Sequence, residues 1–129
     1  MSVDAVVTGA GGFIGGHLVA SLLEQGKSVR GVDVKPLDEW YQVHPDAQNA
    51  QSDVSLLENA RAAVDGAEVV YNLAADMCGM GFIENNKALC MLSVLTSTHV
   101  QQAAKVTGVS RFFYSSSACV YAEIGRAHV

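Results

Sequence analysis

Thr8-Gly9-Ala10-Gly11-Gly12-Phe13-Ile14-Gly15 decides how the rest of the 129-residue chain is read. A short apolar run, Ala5-Val6-Val7, precedes it, and an apolar pattern at helical spacing follows from Ile14 to Gln25. Strand, glycine turn and helix, in that order, form the setting in which glycines serve a nucleotide. Each glycine has its own physical task. Gly9 lets the chain leave the strand in a backbone conformation that a Cβ opposes. Gly12 leaves room for a diphosphate against the main chain, and Gly15 lets the new helix lie close to the sheet. The free N–H groups of the first helical turn, around Phe13 and Ile14, then face the phosphates with the positive end of the helix dipole behind them. That mechanism needs no basic residue, and the stretch holds none.

The glycines stand at 9, 12 and 15. The commoner Gly-x-Gly-x-x-Gly would place a glycine at 14, where Ile14 stands. The eight residues resemble the Thr-Gly-x-x-Gly-Phe-Ile-Gly hallmark of the extended short-chain dehydrogenase/reductase family, the NAD-dependent epimerases and dehydratases. The resemblance implies a Rossmann-like α/β fold, a doubly wound parallel sheet with strand order 3-2-1-4-5, and NAD as cofactor.

Composition agrees with one small domain. Half of the residues are hydrophobic, and the formal net charge is −5 without any basic cluster or stripe. Nucleic acid and membrane surfaces are therefore not expected as partners. The chain opens directly on a strand pattern, with no signal-like segment and no apolar run of membrane-spanning length. Three cysteines, Cys78, Cys90 and Cys119, lack metal-ligand spacing, so no metal is expected and a cytoplasmic protein with reduced thiols is.

Along the chain, Val3 to Thr8 reads as a first strand whose continuous apolar character suits burial on both faces. Ile14, Leu18, Leu22 and Leu23 form one helical stripe, Gly26 ends that helix, and His17 lies on its polar face. Ser28 to Val34 reads as a second strand ending on Asp33. An acidic side chain about twenty residues past the glycines accepts hydrogen bonds from the adenosine ribose. A carboxylate there repels a 2′-phosphate, which favours NAD over NADP; Lys35 is a counter-signal. The loop from Pro36 to Pro45 carries Trp40 and Tyr41, which either pack or cover the adenine side. Asp46 to Gln51 is poor in strand formers, yet the third strand must fall there. Asp53-Val54 is similar to the family's acidic–hydrophobic pair beside the adenine. Read without the resemblance, Asp53 is an N-cap for a helix over Leu56 to Val64. Ala67 to Leu73 is the fourth strand. Leu73-Ala74-Ala75 resembles the family's small-residue run beside the nicotinamide ribose.

Asp76-Met77-Cys78-Gly79-Met80-Gly81-Phe82-Ile83 looks like the Asp-Met-Gly-Gly-Met-Gly-Phe-Ile segment of the GDP-mannose 3,5-epimerase-like branch, in which a glycine loop lines the sugar site. Cys78 departs from that pattern. The resemblance places Cys78 and Gly79 at the substrate. Asn85 to Thr107 reads as a long helix with Leu89, Leu92, Leu95, Val100 and Ala103 on its apolar side, closed by Gly108. Val109 to Ser116 is the fifth strand, running into Ser115-Ser116-Ser117-Ala118-Cys119-Val120-Tyr121. By resemblance, Ser117 hydrogen-bonds the reacting sugar hydroxyl and Cys119 exchanges a ring proton, with Ala118 between them at the substrate. A cysteine near a strand end also serves ordinary packing, and both readings of Cys119 stand.

Neither Tyr114 nor Tyr121 has a lysine four residues on, so the family's Tyr-x-x-x-Lys is expected farther along a longer parent. Residues 123–129 do not resemble the family, and one possible coding of them resembles a sequencing adapter. The expectation is an NAD-binding domain over 1–122, incomplete after strand five, with a non-native tail over 123–129. The parent is read as an NAD-dependent nucleotide-sugar epimerase and a homodimer, with this part inactive alone. The alternatives are a dehydratase or reductase of the same family, or a non-catalytic NAD-binding module.

Overall fold

The computed structural model describes residues 2–74 and 98–114. Five short strands, β1 (Val3–Thr8), β2 (Val29–Asp33), β3 (Gln48–Gln51), β4 (Ala67–Asn72) and β5 (Arg111–Tyr114), form one sheet in the order β3-β2-β1-β4-β5. Every pairing is parallel. The order expected from the sequence is therefore the order found. β1 pairs on both sides, with Thr8 opposite Val32 of β2 and Asn72 of β4. The carboxyl ends of the three strands thus lie side by side, where open α/β sheets place their ligands.

Alternating side chains send β1 into two separate cores, as strand geometry requires. Ala5 and Val7 join Val19 and Leu22 of helix α1 (Phe13–Glu24), together with Val29 and Trp40. Val6 joins Ala60, Ala63 and Val64 of helix α2 (Leu57–Val64), and also Val100 and Ala103. The last two belong to α3, whose described part covers residues 98–107. Helices on both faces make the sheet doubly wound.

The helix ends follow local chemistry. Past α1, Gly26 has φ +79°, its N–H donates to the Leu23 carbonyl, and the Lys27 N–H donates to that of Leu22. This is a Schellman closure, and it requires the left-handed residue that glycine supplies. Gly108, also at φ +79°, closes α3, with Val109 N–H donating to Ala104. At the carboxyl end of α2 the cap comes from a neighbouring strand. The Arg30 guanidinium donates to the Ala63 and Asp65 carbonyls at 2.7 and 2.8 Å.

Two expectations need correction. The stripe of α1 does not include Ile14, which is 68 % exposed; Gly15, Gly16, Val19 and Leu22 are the buried residues. Glycines carry the buried face in the first turn of α1, so a helical period counted from the large apolar Ile14 starts off that face. In addition, Asp53 does not cap α2. Leu56 holds the N-cap position, without a side-chain bond, while the Asp53 carboxylate closes a turn of its own onto Ser55. The strand over 48–51 forms despite its polar composition because it is an edge strand that needs little apolar surface. Of its residues Asn49 alone is half-buried; the others are exposed.

Candidate functional site

Between β1 and α1 the chain turns through Gly9 at φ +74°. A Cβ there would stand 2.7 Å from the Leu73 carbonyl carbon and 2.9 Å from the Ala74 nitrogen. Conformation and space both demand glycine. The Gly9 and Ala10 N–H groups donate to the Val32 carbonyl, which ties the turn to the end of β2. Gly15 is required as well, though by a different neighbour than the sequence suggests. Its missing Cβ would collide with the Gly9 carbonyl oxygen. The close approach is of the helix to its own turn.

Gly12 behaves differently. A Cβ on it would meet nothing nearer than the Gly9 oxygen at 3.5 Å, an ordinary contact. Its φ of −83° suits any residue. Nothing among the described residues accounts for the glycine. Gly12 is the N-cap of α1, where no side chain caps the helix and the first turn carries no acidic residue. An uncapped helix start behind a residue reduced to main chain fits a dinucleotide diphosphate, which supplies the missing negative charge.

Asp33 ends β2 beside this turn and is half-buried. One carboxylate oxygen accepts from the Gly11 N–H at 2.9 Å and the other from the Lys35 N–H at 3.0 Å. Each oxygen retains a lone pair for a ribose hydroxyl. Asp53 follows β3 and is reached through the Ser52 N–H, which donates to the Asp33 carbonyl at 2.8 Å. Its carboxylate accepts from the Ser55 N–H and hydroxyl, and its own carbonyl accepts from Asn59. Val54 is 5 % exposed and belongs to the α2-side core, so only its main chain is available to a ligand.

The structure thus brings Gly9, Gly12, Phe13, Ile14, Gly15, Asp33, Asp53, Val54, Leu73 and Ala74 to the carboxyl edge of the sheet. Ala75, Cys78, Gly79, Ser117, Ala118 and Cys119 lie outside the described residues. Leu89, Leu92 and Leu95 of the expected long helix also lie outside them.

Three features of the site escape a reading of the sequence. The first is a buried polar pair. The Thr8 hydroxyl donates to Asn72 Oδ1 at 2.6 Å and accepts from the Ala74 N–H at 3.3 Å. It locks the ends of β1 and β4 under the glycine turn. The signal was available: two polar residues end two neighbouring apolar strands in register. The second is the loop after β2, which folds back over the start of α1. Trp40 is 7 % exposed, and its indole lies against Gly11, where a Cβ would stand 2.7 Å from Cδ1. Of the two roles open to Trp40, packing is the one observed. Third, Gly16 leaves room for Gln42 and accepts His44 at its carbonyl. Outside this seam, Tyr41 is 60 % exposed and meets Phe13 edge-on at 4.9 Å, with His17 beside both.

Comparison with known proteins follows the same lines. The sequence model of the NAD dependent epimerase/dehydratase family matches residues 5–127. GDP-mannose 3,5-epimerase of Arabidopsis thaliana is 38 % identical over 118 residues, covering 91 % of this chain. A 3 beta-hydroxysteroid dehydrogenase/Delta 5→4-isomerase of Mycobacterium tuberculosis is 33 % identical over 116 residues, covering 87 % of it. The chain spans 31 % of the length of each of these relatives. Among solved structures, MoeE5 in complex with UDP-glucuronic acid and NAD superposes with a TM-score of 0.79 at 31 % identity. That alignment covers 92 % of this chain and 38 % of MoeE5.

Proposed function

This chain belongs to the NAD-dependent epimerase/dehydratase family, and on that premise we propose that it is the cofactor-binding part of a nucleotide-sugar epimerase of the GDP-mannose 3,5-epimerase type. The observation that carries the reading is Gly12, a glycine that no described residue requires, set at an uncapped helix start. The diphosphate of NAD would lie on the main chain of 12–15. Asp33 would accept from the adenosine ribose and disfavour a 2′-phosphate. Asp53 and the Val54 main chain would face the adenine. Leu73, Ala74 and Ala75 would let the nicotinamide half approach the end of β4.

When bound, NAD supplies a reversible hydride acceptor. The chain's own groups would hold and move protons around the sugar. Ser117 would hydrogen-bond the reacting hydroxyl, and Cys119 would exchange a proton on a ring carbon made acidic by a neighbouring ketone. Cys78, Gly79 and Ala118 would shape the sugar site. The principal base, the family's Tyr-x-x-x-Lys, would come from further chain, and the parent would be a homodimer. Similarity to the plant epimerase supports the sugar-nucleotide class more than the steroid class, at 38 % against 33 % identity over comparable lengths.

Calorimetric titration tests the cofactor half. NAD is expected to bind the chain, and Asp33→Ala is expected to weaken it about tenfold or more, since hydrogen bonds to a charged group contribute ~1.5–3 kcal/mol. Incubation with GDP-mannose in deuterated water tests the substrate half, in a protein carrying this chain together with the Tyr-x-x-x-Lys. Deuterium is expected at C3 and C5 of the sugar; its absence removes the 3,5-epimerase reading.

A further inference from the structure

The loop after β2 makes a closed circuit with the glycine turn. The Gly11 N–H donates to one oxygen of Asp33, and the Lys35 N–H donates to the other. The Lys35 carbonyl accepts from the Trp40 indole N–H at 2.9 Å. The Gly11 carbonyl accepts from the Tyr41 N–H at 2.9 Å. Gly11 is pinned from a third side, because its missing Cβ would stand 2.7 Å from Trp40 Cδ1 and 3.0 Å from the Asp33 carboxylate. Gly11 is one of the variable positions of the glycine motif, yet this chain allows no side chain there.

We infer that Trp40 is a positioning residue for nucleotide selectivity: by anchoring Lys35 and pressing on Gly11, it fixes the rotation of the Asp33 carboxylate. The inference rests on the ribose-binding role proposed above for Asp33. The physical argument is one of freedom. A carboxylate held at both oxygens by main-chain N–H groups presents its remaining lone pairs in one direction. That direction serves a ribose diol, and the fixed negative charge opposes a 2′-phosphate. Without the Trp40–Lys35 bond the loop and its N–H are free to move, and the carboxylate can swing aside. NAD then loses preorganised acceptors, while NADP meets less repulsion.

Trp40→Phe keeps a ring on Gly11 and removes the indole N–H. The expected result is a fall of about fivefold in the NAD/NADP affinity ratio, the scale of one net hydrogen bond. A merely structural role would weaken both nucleotides together and leave the ratio alone, and that result overturns the inference. A reciprocal pair sharpens it. Gly11→Ala and Trp40→Leu are each expected to lower the ratio, and the double variant to lower it by less than the two single losses combined, since the added methyl then has room. Purely additive losses count against the inference.

A further readout needs no nucleotide. Trp40 is the sole tryptophan, so its indole N–H is a single resonance. That resonance and the Gly11 and Lys35 amides are expected to move together in Asp33→Asn, which removes the charge the loop is built on. An indole N–H that ignores this substitution overturns the inference. If NAD does not bind the unaltered chain while the three signals do move together, the proposed cofactor role fails and the positioning of Asp33 by Trp40 stands.

Discussion

Two turns at the same edge of the sheet, each leading from a strand into a helix, are built in opposite ways. The turn from β3 into α2 satisfies itself. The Asp53 carboxylate takes both polar hydrogens of Ser55, Asn59 binds the Asp53 carbonyl, and Glu58 places negative charge in the first helical turn. Neither helix has a side-chain cap at its N-terminus, but the turn from β1 into α1 has no acid in the first helical turn either. Its polar atoms are main chain, held by glycines that admit no Cβ at 9, 11 and 15. A helix N-terminus favours negative charge by about 0.3–1 kcal/mol at an exposed site. One turn meets that preference from within the chain, and the other does not. Polar side chains at a turn therefore do not mark the turn proposed here for the diphosphate; their absence does.

The contrast can be broken by substitutions that act on one turn and spare the other. Gly15→Ala is expected to have the largest effect. Its Cβ collides with the Gly9 carbonyl, and two main-chain segments cannot move apart without opening the turn. We expect a loss of about 3 kcal/mol or more, the upper range for overpacking, read as a lowered midpoint in urea. A melt like that of the unaltered chain would show that the turn is looser than described.

Thr8→Val comes next. It keeps the shape of a buried side chain but removes the hydroxyl that serves Asn72 and Ala74. Leaving buried polar groups without that partner costs about 1–3 kcal/mol, to be measured by urea denaturation. Asp53→Ala should matter least to stability. Asp53 is exposed, and substitutions at such positions lie within about 0.5 kcal/mol of neutral. If Asp53→Ala nevertheless lowers the urea midpoint as far as Gly15→Ala does, the second turn is as intolerant of change as the first, and the contrast fails.

These sites also show what could be read from residue order. The left-handed glycines 9, 26 and 108 follow from local chemistry and were legible, and the sheet order was legible through the resemblance of the glycine turn to a known family. Asp33 was legible because its distance from the glycines is fixed by one helix and one strand. Gly11 and Trp40 were not, since their contact joins a turn to a loop almost thirty residues on, and loop paths leave no periodic trace. Ile14 misled because the buried face of that first turn is carried by Gly15 and Gly16, which a count of large apolar residues passes over. Asp53 misled for a related reason. Asp suits both a helix cap and a tight turn, and Ser55 two residues on took the carboxylate first.

Gly12 bears most directly on the claim that the first turn is shaped for a ligand and not for itself. Gly12→Ala should fold like the unaltered chain, within about 1 kcal/mol for an N-cap change, because its Cβ meets the described residues only in an ordinary contact, 3.5 Å from the Gly9 oxygen. Titration with NAD should then show affinity reduced by more than about tenfold, since the methyl stands where the diphosphate must approach. A stable Gly12→Ala chain that binds NAD as tightly as its parent would contradict the account.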